Sequence, residues 1–143
     1  MGVIVKAVTY TINRDIKSLA CTIKTILNNI ESQQCISEKT IFELKVVLNE
    51  LIVNAICHGN LCQESKGTQV TVKIVNNEFL YLSVKDEGCG FKHNDLLKLS
   101  EIIEQNNNAY SEHGRGLLIV EQLCEKIRFN NCGNKVSIIK SLK

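Results

Sequence analysis

Proline is absent from this chain of 143 residues, and no change in composition marks a linker between domains. No internal repeat is visible either. A chain of this length suits one domain with one hydrophobic core. We therefore expect residues 1–143 to form a single domain.

Long apolar runs and a strong excess of one charge are also missing. No run approaches the roughly 20 residues that a membrane span needs, and the N-terminus lacks the basic and apolar regions of a secretion signal. The net charge of +2 is too small to indicate a nucleic acid or a membrane surface as a partner. We therefore expect a cytoplasmic protein with no membrane and no direct nucleic-acid partner.

None of the seven cysteines forms a C-x-x-C pair, and an odd number cannot give a complete disulfide framework. The simplest interpretation is a set of buried or half-buried free thiols in a reducing compartment. Cys89 is the exception, because it lies between two glycines in a predicted loop. A thiol-rich redox or metal protein is the alternative.

Hydrophobic periodicity predicts alternating strands and helices. Asn13 is a candidate cap for the first helix, Ser37 precedes the second, and Asn76-Asn77-Glu78 is a credible hairpin turn because asparagine tolerates positive φ. Because consecutive strands in hairpins favour antiparallel pairing, we expect an α/β two-layer sandwich with a mixed, mostly antiparallel sheet and helices on one face. The predicted strands are 3–12, 69–75, 79–86, 127–131 and 135–141, and the predicted helices are 14–30, 38–58, 94–105 and 114–126.

A polar ridge follows the second predicted helix. Glu50, Asn54 and His58 are spaced i, i+4 and i+8, so they share one face beside the apolar stripe. A carboxylate can accept a proton, and an amide oxygen is a hard ligand suited to Mg²⁺. Each residue alone is typical of a solvated helix face, and His58 could equally be a structural hydrogen-bonding residue near the helix end.

Asp86 is in phase with the apolar residues of the strand before it, so its carboxylate is predicted to point inward. A buried charge needs a partner, which could be Lys or Arg, or the exocyclic amine of a base such as adenine. Gly88 and Gly90 follow, and glycines let a backbone approach a flat ligand closely. D-x-G-x-G also occurs by chance in turns.

Two glycines precede the last apolar helical run, in Gly114-Arg115-Gly116-Leu117. Free N–H groups at a helix N-terminus bind phosphate, and glycine lets the phosphate come near. Arg115 could add a charge-assisted contact. The alternative is a glycine-punctuated helix start that packs on the core.

Other nucleotide motifs are absent. The sequence has no G-x-x-x-x-G-K-[ST] loop, no G-x-G-x-x-G after a strand and no Gly-rich loop of the protein-kinase type. The residue types of a Ser-His-Asp or Cys-His arrangement are present, but no local context such as G-x-S-x-G supports one.

Together, the three polar segments resemble the nucleotide-binding boxes of the GHKL (Bergerat-fold) ATPases. Residues 50–59 resemble the N box, 86–91 the first glycine box and 114–117 the second. The resemblance covers about residues 36–142. Within GHKL, a stand-alone domain with E-x-x-x-N-A-x-x-H-G is similar to the anti-sigma-factor serine kinases.

The resemblance implies a role for each matched residue in binding ATP and Mg²⁺. Glu50 would be the general base, Asn54 would hold Mg²⁺, and Asp86 would bind the adenine amine. The remaining residues would surround the nucleotide: Gly88 and Gly90 at its adenine end, Gly114, Arg115, Gly116 and Leu117 at its phosphates, and residues 92–113 as a lid.

The resemblance also implies a Mg-ATP-dependent serine kinase that phosphorylates an anti-anti-sigma (STAS) protein, sequesters a sigma factor and forms a homodimer. The alternatives are an ATP-binding switch with little or no kinase activity, and the ATP-binding half of a split histidine kinase. One departure concerns adenine, since many relatives have a threonine where this chain has Asn134.

Overall fold

The computed structural model describes residues 7–12, 18–56, 67–87, 112–131 and 133–143. No helix within these ranges is long and apolar enough to cross a membrane. Their elements, in chain order, are strand β1 (Val8–Ile12), helices α1 (Leu19–Gln33) and α2 (Glu38–Asn54), strands β2 (Thr68–Val75) and β3 (Phe79–Lys85), helix α3 (Glu112–Leu123), and strands β4 (Lys126–Phe129) and β5 (Lys135–Ser141).

The five strands form one sheet in the order β1-β2-β3-β5-β4, and each neighbouring pair is antiparallel. Apolar side chains on one face of this sheet pack with the apolar stripes of the helices into a single buried cluster. The predicted two-layer α/β sandwich is therefore confirmed. The most deeply buried members of the core include Ile26, Leu44, Leu48, Leu51, Val70, Leu80, Leu82 and Ile138.

The local sequence explains where α2 begins and how the chain turns between β2 and β3. The Ser37 hydroxyl accepts a hydrogen bond from the Thr40 N–H at 3.2 Å, so it caps the first turn of α2. Between β2 and β3, Asn76 and Asn77 have φ of 56° and 55°. Asparagine tolerates this conformation better than most residues, and the hairpin predicted at this position is confirmed.

Helices α1 and α3 are displaced from their predicted ranges. Helix α1 begins at Leu19 and ends at Gln33, with Ser18 at its cap position; the predicted cap, Asn13, and the predicted helix 94–105 lie outside the described residues. Helix α3 begins at Glu112 and ends at Leu123, before its predicted end near residue 126.

The early end of α3 has a tertiary cause. The Lys140 ammonium donates to the Leu123 carbonyl at 2.6 Å, and the Glu125 N–H already donates to the β5 residue Ile139 at 2.8 Å. A cation at a helix C-terminus satisfies carbonyls that have no partner within the helix. The chain therefore passes from the end of α3 almost directly into β4.

The cysteines differ in part from the expectation of buried or half-buried thiols. Cys21 and Cys35 are free and exposed, which corrects that expectation for both. Cys21 lies on the solvent side of α1, whose other side faces the core, and Cys35 lies in the connection to α2. Cys124 is free and half-buried, and burial raises the pKa of its thiol to about 11.

Candidate functional site

Glu50 of α2 lies against Gly116 of α3, which brings two of the predicted site segments into contact. A Cβ atom built on Gly116 would overlap Oε2 of Glu50 and would lie 3.2 Å from its Cδ atom. Gly116 is buried and Glu50 is half-buried. The tertiary fold therefore brings the N-box carboxylate against the backbone of the second glycine segment.

A partly buried ion pair shows the direction in which α2 and α3 run past each other. Nζ of Lys140 lies 2.6 Å from Oε2 of Glu43 in α2 and 2.6 Å from the carbonyl of Leu123 at the end of α3. The start of α2 is thus near the end of α3, whereas Glu50 lies two turns later beside the start of α3. The helices are antiparallel, and Glu50 lies at the end of the pair where α3 begins.

Asn54 extends this arrangement by one turn. It is the last residue of α2 and is half-buried. At about 1.5 Å per residue, it lies about 6 Å beyond Glu50 along the axis. Because the helices are antiparallel, this step carries Asn54 toward the first turn of α3, where the N–H groups have no partner within the helix.

Asp86 follows β3 directly and is only 8% exposed, in phase with the buried Val84. Lys140, which contacts the start of α2, pairs with Leu80 near the opposite end of β3. Asp86 therefore lies at the end of β3 away from the Lys140 contact, and α2 also extends away from that contact.

The hairpin between β4 and β5 closes this end of the sheet beside Asp86. The Asp86 N–H donates to the Asn134 carbonyl at 2.8 Å, and Gly133 has φ of 72°. The Asn134 side chain turns back into the hairpin, because its Oδ1 atom accepts from Nδ2 of Asn130 at 2.7 Å. Asn134 is thus engaged within its own turn.

Sequence reasoning missed Thr68, the first residue of β2. Gln69 pairs with Lys85, so the next step of the same register places Thr68 opposite Asp86. Thr68 is 0% exposed and lies on the inner face with Val70. The alternation of β2 could have identified it, since a polar residue in phase with a buried apolar stripe is the same signal that identified Asp86.

The second glycine segment lies inside α3 rather than ahead of it, which corrects the expected helix start. Because α3 begins at Glu112, the backbone of Gly114 lies in the first turn, where N–H groups are free, while Gly116 lies in the second, where they bond within the helix. Leu117 is partly buried against the core. The structure describes the backbone of Arg115 but not its side chain, and three predicted site residues lie outside the described residues: His58, Gly88 and Gly90.

Comparison with known proteins assigns the chain to a family. Residues 14–140 match the histidine kinase-like ATPase domain, a match that covers most of the chain and all three predicted boxes. The chain belongs to this family. The predicted resemblance to the GHKL ATPases is thereby confirmed, and an ATPase domain implies that ATP is the ligand.

Two relatives of this chain share one name. The chain is 27% identical over 86 residues to the anti-sigma F factor of Shouchella clausii (strain KSM-K16), a match that covers 60% of this chain and 57% of that protein. It is 25% identical over 103 residues to the anti-sigma F factor of Clostridium perfringens (strain SM101 / Type A), covering 70% and 71%. The match thus spans little more than half of the first relative.

Proposed function

We propose that this chain is a Mg-ATP-dependent protein-serine kinase that is also an anti-sigma factor. Its acceptor would be a serine of an anti-anti-sigma (STAS) protein, and it would sequester a sigma factor as a homodimer in the cytoplasm. Support comes from the ATPase family and from two relatives named anti-sigma F factor. The observation that carries the proposal is the contact between Glu50 and Gly116, which joins a candidate base to the helix proposed to bind phosphate.

In the proposed reaction, Glu50 accepts the proton of the acceptor serine hydroxyl. The serine oxygen forms a bond to the γ-phosphorus of ATP while the bond to the β–γ bridging oxygen breaks, and ADP leaves. Phosphoryl transfer depends mainly on positioning and on neutralising charge. Glu50 suits this role because it is held on a rigid helix and is half-buried, so that a partner's serine can still reach it.

Asn54 is the residue proposed to hold Mg²⁺. No group of three or more His, Cys, Asp or Glu side chains in the described ranges could hold a metal by itself. One amide oxygen matches the preference of Mg²⁺ for few protein ligands together with phosphates and water. When bound, the ion would neutralise charge on the phosphates.

At the other end of the nucleotide, Asp86 is proposed to accept a hydrogen bond from the adenine amine. Thr68, opposite Asp86 in the register, is proposed to supply a hydroxyl at the same place. This assignment would compensate for Asn134, whose side-chain oxygen is engaged by Asn130. Backbone contacts from Gly88, Gly90 and Gly114 complete the proposed site, with Arg115 at the phosphates.

A phosphotransfer assay tests the proposal. Wild-type protein is mixed with γ-labelled ATP, Mg²⁺ and a STAS protein from a neighbouring gene. The STAS protein should then carry acid-stable phosphoserine. Glu50→Gln should bind ATP within about threefold of wild type and lose at least about 100-fold in transfer rate. Equal transfer by Glu50→Gln and wild type would refute the assignment of the base.

The second candidate is an ATP-gated switch that binds a partner but transfers phosphate poorly, and it is carried because Asn134 departs from the threonine that the resemblance leads us to expect. Tight ATP binding with no phosphoserine after hours would favour the switch. Acid-labile phosphohistidine would instead favour the ATP-binding half of a split histidine kinase. Sedimentation of the chain with and without a sigma factor tests the proposed dimer and the anti-sigma activity.

A further inference from the structure

The face of the sheet opposite the helices concentrates positive charge. None of the strand residues whose side chains point away from the core is Asp or Glu. The totals for the whole chain are 17 Lys and Arg against 15 Asp and Glu, so the charge is segregated rather than in excess. The cations of this face, called the basic sheet face below, are Lys73, Lys85, Lys126, Arg128 and Lys135.

The pairing of Lys85 with Lys135 on this face costs stability. They are Cα partners across β3 and β5, and like charges directly opposite one another in a sheet are destabilising. Among the described residues, neither forms an ion pair, since the ion pairs found there join Lys140 to Glu43 and Lys143 to Glu78. A bound anionic group between the two lysines would remove the repulsion.

Tyr81 lies at the centre of the same face, among its hydroxyls and cations. Its hydroxyl lies 3.1 Å from Oγ of Ser137, and Nζ of Lys73 lies 4.9 Å from its ring centroid. The hydrogen bond with Ser137 is the largest influence that lowers the pKa of Tyr81, and the charges of Lys135 and Lys73 lower it further. Hydroxyls and cations thus share one surface that can donate hydrogen bonds to carboxylates.

We propose that the basic sheet face is a docking surface for a protein partner with an acidic surface. A second copy of the chain docked through the same face would bring its own cations against these, so self-association there is disfavoured. Single-stranded nucleic acid binds to sheets by stacking bases on open aromatic rings. The Lys73 ammonium already lies over the central ring of this face, that of Tyr81, and the test below compares nucleic acid with an acidic peptide directly. This face is opposite the proposed nucleotide site, so docking does not depend on phosphoryl transfer.

The test uses the full chain and a fluorescein-labelled polyglutamate peptide as the acidic probe, with binding measured by fluorescence anisotropy. Wild-type protein should bind the peptide, and added salt should weaken the complex. Lys85→Glu should weaken binding by about tenfold. The same substitution should raise the thermal midpoint, because it replaces a like-charge pair with an attractive pair opposite Lys135.

Lys45→Glu is the matched control, because Lys45 is exposed on α2 in the helical layer and the change in net charge is identical. It should bind the peptide within about twofold of wild type. No binding by wild type, or equal weakening by Lys85→Glu and Lys45→Glu, would overturn the proposal. Tighter binding of oligothymidylate than of polyglutamate would assign the face to nucleic acid instead and would also overturn it.

Discussion

A methyl group added at Gly116 would enter the space that the Glu50 carboxylate occupies. The added Cβ atom would overlap Oε2 and would lie 3.2 Å from Cδ and 3.7 Å from Cβ of Glu50. Non-bonded contacts to carbon settle near about 3.5 Å, so the carboxylate oxygen must move by about 1 Å. The helix backbone need not move, because the carboxylate is the far end of a flexible side chain.

The expected change in stability from Gly116→Ala is small because two effects oppose each other. Alanine is more favourable than glycine in a helix interior by about 1 kcal/mol. A displaced Glu50 side chain costs about 0.5–1.5 kcal/mol. The free energy of unfolding should therefore change by less than about 1 kcal/mol, whereas a misplacement of about 1 Å at a reacting group can reduce a rate about 100-fold.

The assay compares phosphotransfer rate, ATP affinity and urea unfolding for wild type, Gly116→Ala and Gly67→Ala. Gly67 is the matched control, because a Cβ there would lie 3.8 Å from Cγ2 of Thr11, an ordinary contact. We expect only Gly116→Ala to lose rate, with its stability retained. A Gly116→Ala variant that transfers phosphate as fast as wild type would refute the reasoning, and so would one that loses several kcal/mol of stability.

Three further perturbations follow from other contacts. Lys140→Met removes the partner of Glu43, whose side chain is 21% exposed. It should lower the free energy of unfolding by about 2–3 kcal/mol in urea titrations. Combining it with Glu43→Gln should recover part of this loss, and no recovery would argue against the ion pair as the cause. Thr68→Val should weaken ATP binding about tenfold by calorimetry, the effect of one hydrogen bond of about 1.4 kcal/mol, and unchanged affinity would remove Thr68 from the site. At pH 8, iodoacetamide should label Cys124 more slowly than the exposed Cys35, because only the thiolate reacts and the pKa of Cys124 is raised to about 11; equal rates would contradict this. Since the unfolded thiol loses its proton nearer pH 9 while folded Cys124 keeps it, this group should make stability fall as pH rises from about 9 toward 11.

The sequence by itself determined the elements and the chemistry they carry. Alternation and helical spacing depend on near neighbours, so the strands, the cores of the helices and the Asn76-Asn77 turn could be predicted without tertiary information. The same alternation predicted that Asp86 faces inward, and the structure leaves it 8% exposed. The three boxes were also local patterns, which is why they predicted the family that residues 14–140 match.

Helix ends were less predictable because their causes lie far away in the chain. Helix α3 ends where Lys140, on the last strand, reaches the Leu123 carbonyl. No local pattern indicated that a lysine would be 4% exposed in a strand and would pair with Glu43 on a helix 97 residues earlier. Whether a buried polar group meets a partner that is distant in sequence depends on how the helices pack on the sheet.

Only the tertiary structure placed the Glu50 carboxylate, which belongs to another helix, in the space that a side chain at residue 116 would enter. It also decided that Thr68 lies opposite Asp86 and that Lys85 lies opposite Lys135, because strand register brings together residues that are distant in sequence. Local periodicity specifies which face a side chain joins, but packing and register specify what it meets there.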